Sequence, residues 1–197
     1  MLSTPKLVGM AVASVGIVGG AVGINYALNP SVPAPEKTTL RKLITSANRT
    51  PLNKDSTTWD IKLITYTNSI RSLKKITLTP EDAEGLKTWC TDNLDKEFEV
   101  SKKDESNYSI AIQICTKPTN QEKLKKNSKT VLTDSGWDTK ANTYKKGNIE
   151  NLTIPTISDK TKATEKQIKD WCTDTLGKEI EDNETIYNTV VKWCTTG

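Results

Sequence analysis

Two stretches of the chain are closely related: LKTWCTDNLDKEFE at residues 86–99 and IKDWCTDTLGKEIE at residues 168–181 share nine of fourteen positions. The match continues on both sides: Trp59 pairs with Trp137, Tyr66 with Tyr144, Tyr108 with Tyr187, and Cys115 with Cys194. All four cysteines and four of the five tryptophans fall at paired positions. A repeat of this kind predicts two tandem copies of one structural unit, at residues 52–117 and 130–197, joined by a polar linker at residues 118–129.

Three helices are predicted in each copy. In the first helix of the first copy, apolar residues recur at helical spacing, from Trp59 through Leu63 to Ile70. The second helix is predicted to start near Thr79-Pro80 in the first copy and at the capping-box sequence Thr164–Gln167 in the second.

The third helix is ambiguous in the first copy, because Ile110, Ile112 and Ile114 alternate as they would in a strand. The matching residues of the second copy, Tyr187 and Val190 among them, have helical spacing. The repeat therefore favours a helix in both copies.

The four cysteines are predicted to form one disulfide in each copy. Cys90 lies 25 residues before Cys115, and Cys172 lies 22 residues before Cys194, so each pair links the second helix to the third. A zinc site would need more closely spaced ligands, and an activated thiol would depend on Lys87 or Lys169. The remaining alternative is free, buried cysteines in a reducing compartment.

Six aromatic residues are predicted to build the core, because most of them share helical spacing with Leu and Ile. They are Trp59, Tyr66, Trp89, Trp137, Tyr144 and Trp171. The alternative is that the tryptophans stack on sugars or nucleobases. Carboxylates also recur, at Asp92 and Asp174 and in the pairs Lys96-Glu97 and Lys178-Glu179, and we interpret them as solvated ion pairs.

Composition excludes several classes of function. The 197 residues are 35% hydrophobic and 26% charged, with a net charge of +4 and no histidine. Nucleophile–histidine pairs and histidine-ligated metals are therefore excluded. A weak net charge with interspersed acidic residues argues against nucleic-acid binding. We predict no enzymatic activity, no cofactor and no metal.

The N-terminal residues predict a membrane segment. Residues 7–28 carry no charge, and 22 residues of helix would measure about 33 Å, enough to cross a bilayer. Residues 1–28 are therefore predicted to be a retained transmembrane anchor that contacts the lipid bilayer, followed by a Pro-containing linker at residues 29–51. The alternative is a signal peptide cleaved near Ala27.

Orientation depends on two opposing signals. The positive-inside rule sets Lys6 against Lys37, Arg41 and Lys42, which by itself would place the C-terminal body inside the cell. Disulfides, however, form in oxidising compartments. We therefore predict a single-pass membrane protein with an extracellular body, and the fold class is mainly α: a transmembrane helix plus two small three-helix modules, each with one disulfide.

The Gly/Ala/Val-rich N-terminal segment, the Pro-containing spacer, the Trp-x6-Tyr unit at Trp59 and the Leu-Lys-x-Trp-Cys unit at Leu86 resemble the paralogous-family proteins of haemotropic mycoplasmas. The resemblance implies display at the surface of a wall-less bacterium, with contact to host cells or antibodies as the expected partnership. It implies no reaction and no catalytic residues. The rival expectation is a secreted binding or effector protein released by cleavage near Ala27.

Overall fold

A computed structural model describes residues 35–133, 135–147 and 152–196. The described chain is mainly helical and contains two disulfides. The predicted membrane segment and the first residues of the predicted linker lie outside these ranges. Within the ranges, no helix combines the length and the apolar character that a membrane crossing requires.

Residues 37–117, here called the first half, contain four α-helices and a two-stranded sheet. The elements are β1 Lys37–Thr39, α1 Leu40–Ser46, α2 Trp59–Thr65, α3 Ala83–Leu94, β2 Glu97–Glu99 and α4 Tyr108–Ile114. The strands pair antiparallel, with Thr38 opposite Phe98. The chain continues from α2 through a wide π turn at Tyr66–Ile70 and a short 3-10 turn at Arg71–Leu73.

Residues 118–196 are here called the second half, and their described residues also contain four α-helices. These are α5 Asn120–Lys126, α6 Trp137–Lys146, α7 Glu165–Leu176 and α8 Glu184–Cys194. The predicted capping box forms at the start of α7, where Thr164 accepts from the backbone of Gln167 and the Gln167 side chain accepts from the backbone of Thr164. The alternating segment of the first half is helical, as the repeat predicts.

The start of α3 differs from the prediction. The helix begins after Asp82, whose carboxylate accepts from the backbone N–H groups of Glu84 and Gly85, and not after Thr79. An aspartate cap supplies both an acceptor and a negative charge at the helix N-terminus, so it is a better start signal than a threonine before proline.

The described residues of both predicted linkers include a helix, which corrects their assignment there as spacers and gives each half four helices where three are predicted. The segment 29–51 contains β1 and α1, and α1 buries Leu40 and Ile44. The segment 118–129 contains α5, which buries Leu124. Each helix covers a hydrophobic core with one short apolar stripe, and the rest of its surface is polar.

These two helices also correspond to each other. Thr39 caps α1 and Thr119, 80 residues later, caps α5. Asn48 and Ser128, again 80 residues apart, both adopt the left-handed conformation just after the helix, with φ of 55° and 53°. A few residues further along the chain, Pro51 forms an isolated antiparallel β-bridge with Thr116 in the first half, and Val131 forms one with Thr195 in the second.

The apolar side chains form two clusters. One lies in the first half, between Leu40 and Cys115, and the other in the second half, between Leu124 and Cys194. The residues Pro35–Gly197 nevertheless form one compact unit. The two clusters are therefore packed side by side, and the contact between them is a structured junction.

Candidate functional site: a cleft at the junction of the two halves

The junction is built around the first turn of α5. Glu122 occupies the third helical position, where it completes a capping box with Thr119. Its carboxylate also reaches the first half, because Lys62 Nζ donates to both carboxylate oxygens at 2.7 and 2.9 Å and the Thr65 hydroxyl donates at 2.6 Å. The carboxylate of Glu122 thus caps the N-terminus of α5 and also joins the two halves.

Lys62 is the most deeply buried charged residue among those described, with its side chain 1% exposed. Burial lowers the pKa of Lys62, and the charge of Glu122 opposes that shift. Burial alone would raise the pKa of Glu122, but the charge of Lys62 and the hydrogen bonds from Lys62, Thr65 and Thr119 bring it below its ordinary value. Glu122 is therefore ionised at neutral pH and faces the ammonium group directly.

A second ion pair crosses the junction beside the first. Arg49 Nε donates to Glu179 at 2.7 Å, and the same carboxylate oxygen accepts from the backbone N–H of Thr50 at 2.9 Å. The other end of the guanidinium donates to Thr116 and to the carbonyl of Lys117. Burial would raise the pKa of Glu179, but the hydrogen bonds from Arg49 and Thr50 lower it. Both residues that donate hydrogen bonds to Glu179, Arg49 and Thr50, belong to the first half.

A cleft of about 720 Å³ opens next to these ion pairs. Three lysines line it, and each is paired with a carboxylate: Lys117 with Asp182 at 3.0 Å, Lys123 with Glu184 at 2.5 Å, and Lys126 with Asp60 at 2.9 Å. Leu52, Ile61 and Ile180 supply its apolar surface. Asp55 and Glu181 also line the cleft, which gives it five carboxylates against three lysines. The cleft therefore presents a surface of mixed charge with an acidic excess, which suits a partner that carries basic groups.

The four cysteines are joined in disulfides, so none of their thiols is a nucleophile. In the described ranges no cluster of three or more Cys, Asp or Glu side chains is arranged to hold a metal ion.

The structure pairs Cys90 with Cys115 and Cys172 with Cys194, with Cα–Cα distances of 5.5 and 5.6 Å. Each disulfide joins the third helix of its half to the fourth, and all four cysteines are at most 1% exposed. The disulfides therefore lie inside the hydrophobic clusters and do not line the cleft.

Five of the six aromatic residues predicted to be in the core are buried: Trp59, Tyr66, Trp137, Tyr144 and Trp171. Trp89 is only partly buried and packs at the edge of the first cluster. Trp193, which the prediction left out, is 1% exposed; it packs edge-on against Tyr144, with ring centroids 4.9 Å apart, and donates its indole N–H to the carbonyl of Leu152. The four buried tryptophans are each at most 7% exposed, which favours a role in the core over stacking on a ligand.

Sequence reasoning missed the junction. Lys178 forms an exposed ion pair with Asp174, as predicted, but Glu179, predicted to be solvated, receives Arg49 in a half-buried position. Lys62 lies on α2 beside the buried residues Trp59 and Ile61 and was not singled out. The one available signal was that a lysine recurs at the matching position of the second half, Lys140.

No protein-family model matches this chain, and no curated protein or solved structure shows significant similarity to it.

Proposed function

We propose that this chain is a single-pass membrane protein whose disulfide-closed helical body is displayed outside the cytoplasm, where it contacts host cells or is exposed to antibodies. The observation that carries the proposal is the pair of disulfides, one in each half. Two buried disulfides require an oxidising compartment during folding, and the bacterial cytoplasm is reducing. The uncharged segment at residues 7–28 supplies the proposed anchor.

The arrangement of the body supports a display function. We infer that the two halves are tandem copies of one four-helix module, since their caps, disulfides and bridges correspond at offsets of 79 to 82 residues. Two ion pairs shielded from solvent hold the modules against each other, so the cleft between them has a defined shape. A preorganised surface of mixed charge binds a partner at a lower entropic cost than a flexible one.

The resemblance to the paralogous-family proteins of haemotropic mycoplasmas agrees with this proposal, because it too implies surface display. It rests on the Trp-x6-Tyr unit at Trp59, the Leu-Lys-x-Trp-Cys unit at Leu86 and the N-terminal segment.

The experiment is an intact-mass measurement of the protein extracted from membranes, with thiols alkylated before reduction. We expect the mass of the 197-residue chain, 21.8 kDa, with no alkylated cysteine. Four alkylated cysteines would place the body in a reducing interior and overturn the proposal. A mature N-terminus near Leu28 would support the secreted alternative instead.

A membrane-impermeant protease applied to whole cells gives an independent measure of orientation. Loss of the body from intact cells is expected, while a cytoplasmic protein in the same sample stays uncut. Protection of the body until the cells are lysed would contradict extracellular display.

A further inference from the structure

Four residues of the first half hold the two junction carboxylates. Lys62 and Thr65 donate to Glu122, whereas Arg49 and the backbone of Thr50 donate to Glu179. A fifth residue, Asp60, receives Lys126 of α5. The first half thus presents one surface that binds Glu122 and Lys126 of α5 and, beside them, Glu179 from the segment that follows α7.

The second half presents the same surface a second time. The corresponding residues are Lys129 for Arg49, Thr130 for Thr50, Asp138 for Asp60, Lys140 for Lys62, and Thr143 for Thr65. Four of the five residue types are identical, and the fifth keeps its positive charge. We call the set Lys129, Thr130, Asp138, Lys140 and Thr143 the end face.

The end face is uncovered by the residues that the structure describes. Lys129, Thr130, Asp138 and Thr143 are exposed, and Lys140 is half-buried. Across those residues, neither Lys129 nor Lys140 lies within ion-pair distance of a carboxylate. Lys140 Nζ instead donates to the carbonyl of Lys192 at 2.9 Å.

Among the described residues, the lysines of the end face therefore lack the carboxylates that complement their counterparts in the junction. Burial, and then the nearby charge of Lys192, lower the pKa of Lys140. The charge of an incoming carboxylate would oppose both effects, as that of Glu122 does for Lys62. The complementary partner is defined by the junction itself: a helix whose third residue is glutamate and whose next turn carries a lysine.

We propose that the end face is a docking surface for the acidic N-terminus of a helix in a partner protein, bound in the way that the first half binds α5. A second copy of this chain is a poor occupant. In its α1, Lys42 stands at the position that Glu122 occupies in α5, 80 residues earlier, and it would meet Lys140 with like charge.

The test uses the full chain in lipid nanodiscs and a synthetic, N-acetylated peptide that carries residues 118–128 and a C-terminal dye. Alanine replaces Lys123 and Lys125 in the peptide, so that Glu122 and Lys126 are the two charged side chains that remain. The matched control peptide carries Glu122→Gln. Binding is measured by fluorescence anisotropy at about 50 mM salt, where charge pairs are weakly screened.

We expect the Glu peptide to bind about tenfold more tightly than the Gln peptide, the ratio that a charge-assisted hydrogen bond supplies. Lys140→Met in the protein should remove this preference. Thr143→Val, at the exposed position that matches Thr65, should reduce it. Lys166→Met, at an exposed lysine of α7 outside the end face, should leave it unchanged.

Three results would overturn the proposal. One is equal affinity for the two peptides, and another is a preference that survives both Lys140→Met and Thr143→Val. The third is no binding of the Glu peptide up to about 1 mM, since a docking site of this kind should exceed that affinity. Circular dichroism of each variant verifies that the helices are intact.

Discussion

The two halves share a framework but fill it differently. Each begins with a threonine-capped helix, α1 or α5, which we call the entry helix. Each also has one disulfide between its third and fourth helices and one isolated β-bridge beside that disulfide. In the first half, Ile114 occupies the last turn of the fourth helix, whereas Trp193 stands at the corresponding place in the second half. The comparison teaches that the covalent and hydrogen-bonded framework defines the module and that the core residues are exchangeable within it.

The surfaces of the halves diverge as well. In the first half, Arg41 and Asp95 form a two-pronged ion pair, with distances of 2.7 and 2.9 Å, between the entry helix and the end of the third helix. Gln121 and Gly177 stand at the corresponding positions of the second half. A groove of about 450 Å³ is open there, lined by Leu132, Trp137 and other residues.

The largest effect is expected from breaking the contact between the halves. Glu122→Gln leaves the buried ammonium group of Lys62 without its counter-charge, so we expect a loss of about 3 kcal/mol in the free energy of unfolding. Chemical denaturation measures this loss. Asp60→Asn, which removes an exposed ion pair across the same junction, is the matched control and should cost about 0.5 kcal/mol or less.

The same variant sharpens the comparison through pH. The folded-state pKa of Glu122 lies below its ordinary value of 4.5, so its contribution to stability is present above pH 4.5 and is lost as the pH falls through the folded-state value. Thermal unfolding between pH 7 and pH 3 should show a smaller acid-induced loss of stability in Glu122→Gln than in the wild type. Parallel curves would contradict an ionised Glu122 in the junction.

The next largest effect is expected from opening one disulfide. Cys90→Ser releases a loop closed across 25 residues and should lower the free energy of unfolding by about 3 kcal/mol. Hydrogen exchange should show that amide protection falls more in the first half than in the second. Cys172→Ser is the mirror experiment, and equal loss of protection in both halves after either change would show a single cooperative core.

A smaller effect is expected from a methyl group added to the third helix of the first half. At Gly85 a Cβ atom would overlap the backbone carbonyl oxygen of Pro80, so Gly85→Ala should destabilise the protein by about 2 kcal/mol. Gly177, at the end of the third helix of the second half, has open space around the same atom. Gly177→Ala should change the melting temperature little, and a comparable loss in both variants would contradict the close approach at Pro80.

The smallest effect is expected from Arg41→Gln, which gives the first half the residue that the second half carries at this position. The ion pair with Asp95 is exposed on both sides, so the free energy of unfolding should fall by less than about 1 kcal/mol. Solvent accessibility should rise along α1 as the groove of the second half is reproduced. The salt dependence of stability measures the ion pair, and an unchanged dependence would show that it contributes nothing.

Much of the helical framework could be predicted because it depends on local patterns and on the repeat. Nine identities in fourteen positions identified the third helix of each half, and the paired cysteines indicated which disulfides form. The entry helices were missed because they are short and polar: α5 has buried side chains only at Asn120 and Leu124. A helix of seven residues with one buried apolar side chain has almost no periodic signal.

The junction could not be predicted, because its partners are far apart in the sequence. Lys62 and Glu122 are separated by 60 residues, and Arg49 and Glu179 by 130. In composition they are indistinguishable from the solvated charges around them. They are shielded from water, and form ion pairs between the halves, only because the two cores pack side by side.

The position of the disulfides also sets how far the body can be stretched. A chain pulled from residue 35 would first load the β1–β2 pair, and then the helices behind it. While Cys90 is bonded to Cys115, the intervening stretch stays out of the extending path, and reduction would release roughly 80 Å of additional contour length. The second disulfide holds back roughly 70 Å more. Under mechanical load, therefore, the redox state of the surroundings would govern the reach of the molecule.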